Sequence, residues 1–94
     1  VVANTCADNR NSTTFQGCGI FVSGNNNRVE DNNVTRNDYG ILIMTGVSGN
    51  LVIRNSASGN TNDFVMTSGD RYGEIVNSQT GSISNSNPWS NFKF

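Results

Sequence analysis

The feature that most constrains this chain is a repeat of 23 residues. Val29, Asn32, Val34, Asn37, Gly40 and Ile41 recur at that spacing as Val52, Asn55, Ala57, Asn60, Asp63 and Phe64. The N-terminal Val1, Asn4, Cys6 and Asn9 match Val29, Asn32, Val34 and Asn37. An insertion at residues 10–16 follows, and the frame resumes at Gly19 and Ile20, which match Gly40 and Ile41. A fixed period of this length marks a stack of like units, each burying its apolar residues against its neighbours.

One unit reads V-x-x-N-x-V-x-x-N-x-x-G-I-x-V, then a variable loop. Alternation such as Ile20-Phe21-Val22 and Ile41-Leu42-Ile43 predicts strands with every second residue facing inward. Asn at a fixed place suits a sharp bend, because it tolerates the left-handed conformation and satisfies nearby backbone groups. The same Asn in successive units predicts a ladder of side-chain amides, each both donor and acceptor. Two ladders are expected, one of Asn4, Asn32 and Asn55 and one of Asn9, Asn37 and Asn60. Gly19 and Gly40 are expected at a further bend.

The expected fold is therefore all-β: a parallel β-helix (β-solenoid) of about three to four coils with an aromatic C-terminal cap. A leucine-rich repeat needs Leu at fixed places and a helical half, and this chain has neither. Only 34% of the residues are hydrophobic, which would fill a round globule poorly but suffices for a solenoid. Seventeen Asn, eleven Ser and eight Thr fit bends rather than helices. Such composition alone also describes disorder, but regular apolar spacing argues against it.

The chain divides as one segment. Residues 1–18 form a partial first coil with its inserted loop, residues 19–62 two complete coils, residues 63–79 a degraded last coil, and residues 80–94 the cap. In the degraded coil Phe64 and Met66 keep inward places and Ile75 is expected at the place of Val52. Pro88 should stop strand pairing, with Trp89, Phe92 and Phe94 covering the core.

The chemistry is sparse. A net charge of −1 gives no basic patch for nucleic acid and no polybasic membrane anchor, and no apolar run approaches a transmembrane span. With no His, neither a zinc site nor an activated cysteine nucleophile can be assembled from the two Cys in the usual way. Cys6 takes an inward place; Cys6 and Cys18 are read equally as thiols or as a disulfide closing the inserted loop. In the repeat frame Asp8 falls on Arg36 and Asp31 on Arg54, and solvent-facing ion pairs are the favoured reading. Asp38 and Asp63 lie beside a bend, where Asp is an ordinary residue. Thr35 falls on Ala7 and Ser58, so no Thr array of the ice-binding kind is present. Phe21, Leu42 and Val65 share an outward place in three successive units, a strip that suggests a covered surface, and Val2 and Ile53 flank Glu30 in another outward column.

The repeat, over about residues 1–76, resembles the right-handed parallel β-helix repeats of the pectate-lyase-like superfamily. The ending Asn87-Pro88-Trp89-Ser90-Asn91-Phe92-Lys93-Phe94 looks like the closing tail of secreted bacterial β-helix proteins. The resemblance implies a right-handed, extracellular structure. It also suggests Glu30 and Asp31, with Arg54, as the place to look for a calcium-and-arginine site; adjacent strand residues point to opposite faces, so no cofactor or metal is assigned. The expected function is a non-catalytic structural or capping segment. The alternatives are a fragment of a polysaccharide lyase or glycoside hydrolase with its active coils elsewhere, and a carbohydrate-binding module. The expected partners are a polysaccharide or a second copy of the chain, the latter through the apolar end at Val1, Cys6, Ile20 and Val22 or through the Phe21, Leu42 and Val65 strip.

Overall fold

The computed structural model describes residues 1–10, 17–78 and 87–94. The insertion carrying Asn11 and Phe15, and most of the segment that leads to the tail, lie outside the described residues. The described chain is all-β. Its strands are β1 (Thr5–Ala7), β2 (Cys18–Val22), β3 (Arg28–Glu30), β4 (Asn33–Thr35), β5 (Tyr39–Ile43), β6 (Leu51–Ile53), β7 (Ser56–Ser58), β8 (Asn62–Val65), β9 (Arg71–Tyr72), β10 (Ile75–Asn77) and β11 (Asn91–Lys93).

These strands form three parallel sheets, ordered β1-β4-β7-β11-β10, β2-β5-β8 and β3-β6-β9. From β1 to β10 the chain visits the three sheets in strict rotation, and up to β9 each circuit lays its strands beside those of the previous circuit. The register follows the sequence repeat. Val29 pairs with Val52, Val34 with Ala57 and Ile41 with Phe64. Across the insertion, Cys6 pairs with Val34 and Ile20 with Ile41.

The core lies between the sheets and is built from the inward column of each. Val29 and Val52 come from one, Val34 and Ala57 from another, and Ile20, Val22, Ile41 and Ile43 from the third. Cys6, Phe64 and Met66 pack against this cluster while half-buried. Short β-branched side chains suit strands of three to five residues that pack on one face only.

Four expectations give way here. Gly19 and Gly40 lie inside β2 and β5 rather than at a bend. A Cβ on Gly40 would approach the Asp63 carbonyl oxygen to 2.4 Å, so close backbone packing is what requires glycine. Tyr72, not Ile75, takes the place beside Val52. Of the expected apolar end, Ile20 and Val22 are buried and Cys6 half-buried, while Val1 is 53% exposed. The tail is not a plug laid over the core. It is a strand, β11, inserted between β7 and β10, with Phe92 beside Ser56 on one side and Val76 on the other. Trp89 and Phe94 remain about half exposed.

Candidate functional site

The bends explain the asparagines. Ala3, Asp8, Asn26, Asp31, Arg36 and Arg54 have φ between 55° and 61°, and Gly49 and Gly59 are also left-handed. Each stands immediately before Asn4, Asn9, Asn27, Asn32, Asn37, Asn55, Asn50 or Asn60. The left-handed residue is thus the one before the asparagine, not the asparagine itself. For a residue with a Cβ this conformation costs about 1–2 kcal/mol. The following Asn offsets it by using its own main-chain N–H and its Nδ2 together.

Both groups donate to one oxygen in the next circuit. Asn32 N and Nδ2 each reach Asn55 Oδ1 at 3.0 Å, and Asn37 N and Nδ2 reach Asn60 Oδ1 at 2.8 and 3.0 Å. Asn4 and Asn9 donate in the same way to Asn32 and Asn37. The stack through Asn55 continues into the tail, where Asn91 Oδ1 accepts from Asn55 N and Nδ2 at 3.1 Å. Asn91 is fully buried and passes its Nδ2 protons to the Val52 and Gly73 carbonyls. A third stack joins Asn27 to Asn50 and Asn50 to Asp70. Asp70 is a carboxylate, so it accepts from Asn50 and Thr67 and donates no side-chain proton onward. Burial pushes its pKa up, but these hydrogen bonds outweigh that and hold it below the usual carboxylate value.

The charges gather beside β3. Glu30 accepts two bonds from Arg28 and one from Arg54. Asp31 Oδ1 lies 3.5 Å from Arg54 Nε. Asp31 follows the end of β3 and is left-handed, so strand alternation does not part it from Glu30, and one guanidinium bridges both carboxylates. The bond from Arg28, then that from Arg54, lowers the Glu30 pKa. Asp8 is likewise lowered, first by its bond from Arg36, at 2.7 Å. The candidate calcium ligands Glu30 and Asp31 therefore face guanidinium groups. Among the described residues no group of three or more Cys, Asp or Glu side chains comes together. Asp38 is buried and accepts the Gly17 N–H, and Asp63 accepts from Asn60 Nδ2. Cys6 and Cys18 are present as thiols on β1 and β2, and burial followed by the Asp38 charge raises the Cys18 pKa.

Two of the outer grooves among the described residues are lined by apolar and aromatic side chains. One, of about 360 Å³, runs along Phe21, Leu42 and Val65 with Tyr39 and Cys18 at its side. The other, of about 490 Å³, has Leu51 and Ile53 as an apolar floor, Trp89 and Tyr72 as walls, and Arg28, Arg71 and Glu74 at its margin. Ile53, expected in an exposed column, is only 4% exposed. The Arg54 guanidinium stacks on the Trp89 ring at 5.3 Å and the Arg54 main-chain N–H donates to the Trp89 carbonyl, fixing one wall. The Arg71 main-chain N–H donates to the Asn50 carbonyl, and its guanidinium meets no hydrogen-bond or ion-pair partner among the described residues. The repeat concealed this second groove, because Tyr72, Glu74 and Trp89 lie where the period has broken down.

Among the described residues no helix is long and apolar enough to cross a membrane. No family model, no curated protein and no solved structure matches the chain.

Proposed function

We propose that the chain is a structural segment of a right-handed parallel β-helix, closed at one end by its own C-terminal strand, with no catalytic role of its own. The observation that carries this reading is the placement of β11 between β7 and β10, which sets Asn91 under Asn55 and ends a stack with every proton of its amide donated to a carbonyl. Rotation of the chain through three parallel sheets supports the β-helix architecture. The lyase alternative calls for an arginine free to act beside clustered carboxylates, and here Arg28, Arg36 and Arg54 are tied to Glu30, Asp8 and Asp31. Incubation with acidic polysaccharides, with and without calcium, is expected to yield no unsaturated product. Accumulation of such product would overturn the structural reading.

A second reading rests on the Trp89 groove. Two half-exposed aromatic rings beside the Arg71 guanidinium, which meets no partner among the described residues, form a surface on which a sugar ring can stack and an acidic group can be held. A glycan array tests this carbohydrate-binding reading. Binding lost in both Trp89→Ala and Arg71→Ala supports it, and an array without signal removes it.

A further inference from the structure

Trp89 is held from several sides and is still 49% exposed. Its main-chain N–H donates to Asn87 Oδ1 at 3.0 Å, and its carbonyl accepts the Arg54 main-chain N–H at 3.3 Å. A Cβ on Gly73 would come within 1.8 Å of that carbonyl oxygen, so the tail lies against a position that only glycine allows. The Arg54 guanidinium covers one face of the indole, and Glu30 and Asp31 hold that guanidinium in turn. The other face is left to the groove that Trp89 lines. An aromatic ring fixed in this way and left half exposed offers a stacking surface that a ligand need not order. The groove, at about 490 Å³, falls in the size range of small-molecule sites.

The polar groups of the groove decide what fits it. Arg28 gives its Nε and Nη2 to Glu30. Asn87 Oδ1 is occupied by Trp89, and Glu74 has a partner. The floor, Leu51 and Ile53, offers no side-chain hydrogen bond. The Arg71 guanidinium and the Tyr72 hydroxyl are the lining groups that meet no partner among the described residues. Arg71 stands beside Leu51 in the register, so its charge borders the floor. A sugar ring laid on that floor would bury hydroxyls with nothing to bond, at a cost for each. A flat apolar ring escapes that cost, and a single anionic group answers Arg71. We propose that the groove binds a small aromatic carboxylate, its ring on the free face of Trp89 and over Leu51, its carboxylate paired with Arg71. A guanidinium meets a carboxylate through two parallel N–H donors, which also fixes the plane of the ligand. The proposal goes beyond the carbohydrate reading of the same groove.

The chain holds a single tryptophan, so the indole N–H of Trp89 gives one resonance to follow. The full chain is titrated with cinnamate at neutral pH and low salt, and that resonance is expected to shift saturably. Cinnamamide has the same shape without the charge and should bind the same chain about tenfold or more weakly, the loss of one charge-assisted pair. Arg71→Gln should weaken cinnamate by a similar factor and leave cinnamamide unchanged. Lys93→Gln, which removes a cation outside the groove, should bind cinnamate as the parent does. Equal affinity for cinnamate and cinnamamide overturns the proposal, as does parental affinity in Arg71→Gln. So does the absence of any shift up to the solubility of cinnamate. Glucuronate binding more tightly than cinnamate also overturns it and returns the groove to carbohydrate. The comparison of acid with amide needs no variant, so a substitution that fails to fold leaves the decision intact. The polysaccharide assay for unsaturated product does not depend on this groove, so failure here is distinguishable from failure of the structural reading.

Discussion

The two ends of the sheets are finished in opposite ways. At the C-terminal end the stacks close: Asn91 gives its amide protons to Val52 and Gly73, Asn60 gives one to Asp63, and Asp70 accepts only. At the other end Asn4, Asn9 and Asn27 are exposed, donate to Asn32, Asn37 and Asn50, and have Oδ1 atoms that accept from no side-chain or main-chain group among the described residues. Both ends carry the same residue type, and only the direction of donation separates them. The comparison teaches that closing a stack of circuits is a matter of matching donors to acceptors as well as covering apolar surface. The C-terminal half of the lesson is built by β11, which is far in sequence from the strand it supports: Asn91 lies 36 residues beyond Asn55.

The largest effect should therefore come from removing that strand. Deletion of residues 87–94 strips β7 of its neighbour and leaves the amide of Asn55 without its acceptor. β10 cannot take the slot unchanged. It pairs with β11 so that Ile75 stands at the level of Asn91, and sliding it inward would set an apolar side chain against the Asn55 amide. We expect a loss of roughly 5 kcal/mol or more, comparable with the total stability of a small domain, and aggregation through the exposed edge. Thermal melting with light scattering checks this. A truncated chain as stable and as monomeric as the parent would show that the two ends do not differ as argued.

The same contrast separates two asparagines. Asn55 is buried and lies mid-stack, whereas Asn4 is exposed and only donates. Asn55→Ala leaves the main-chain N–H of Asn32 without an acceptor and deprives Asn91 of one donor. The expected cost is about 3 kcal/mol, at the upper end for a buried unsatisfied group. Asn4→Ala removes two side-chain bonds, to Val2 O and Asn32 Oδ1, at a wetted site, and its expected cost is about 0.5–1 kcal/mol. Denaturant unfolding of both variants measures the ratio. Equal costs would mean that position in the stack is irrelevant.

What could be read from the residues was the periodic part. Valines and isoleucines at a fixed spacing set the strand register, because a shift of one residue would turn Val29, Val34 and Ile41 outward. The stacks of Asn4, Asn32 and Asn55 and of Asn9, Asn37 and Asn60 follow from the same spacing. The stack through Asn27 and Asn50 was equally legible, since those residues are also 23 apart, but it begins in the stretch treated as variable loop. The left-handed positions were not legible by residue type, because Ala3, Asp8, Arg36 and Arg54 share no chemistry; only their place before an asparagine marks them. Asn91 was illegible for a different reason. Strand order in that sheet departs from chain order, so no period leads to it. The Trp89 groove depends on that same departure.

The smallest effect concerns the acceptor-only end of the third stack. Asp70 is buried, and its pKa is lowered in the fold because Thr67 and Asn50 donate to its carboxylate against the opposing cost of burial. A carboxyl group with a lowered folded value stabilises the protein above its unfolded pKa of about 3.9, and that contribution disappears as pH falls through the folded value. Asp70→Asn removes the titration while leaving an oxygen to accept from Asn50. Asp8 and Glu30 are also lowered, by their arginine partners, but they titrate alike in both proteins and cancel in the difference. The stability difference between parent and variant should hold steady from pH 7 down to about pH 5, then move against the parent below about pH 4. Thermal midpoints of the two proteins across that range decide the matter. A difference that does not change with pH would mean that the charge of Asp70 plays no part in ending the stack, and that any acceptor of the same shape serves.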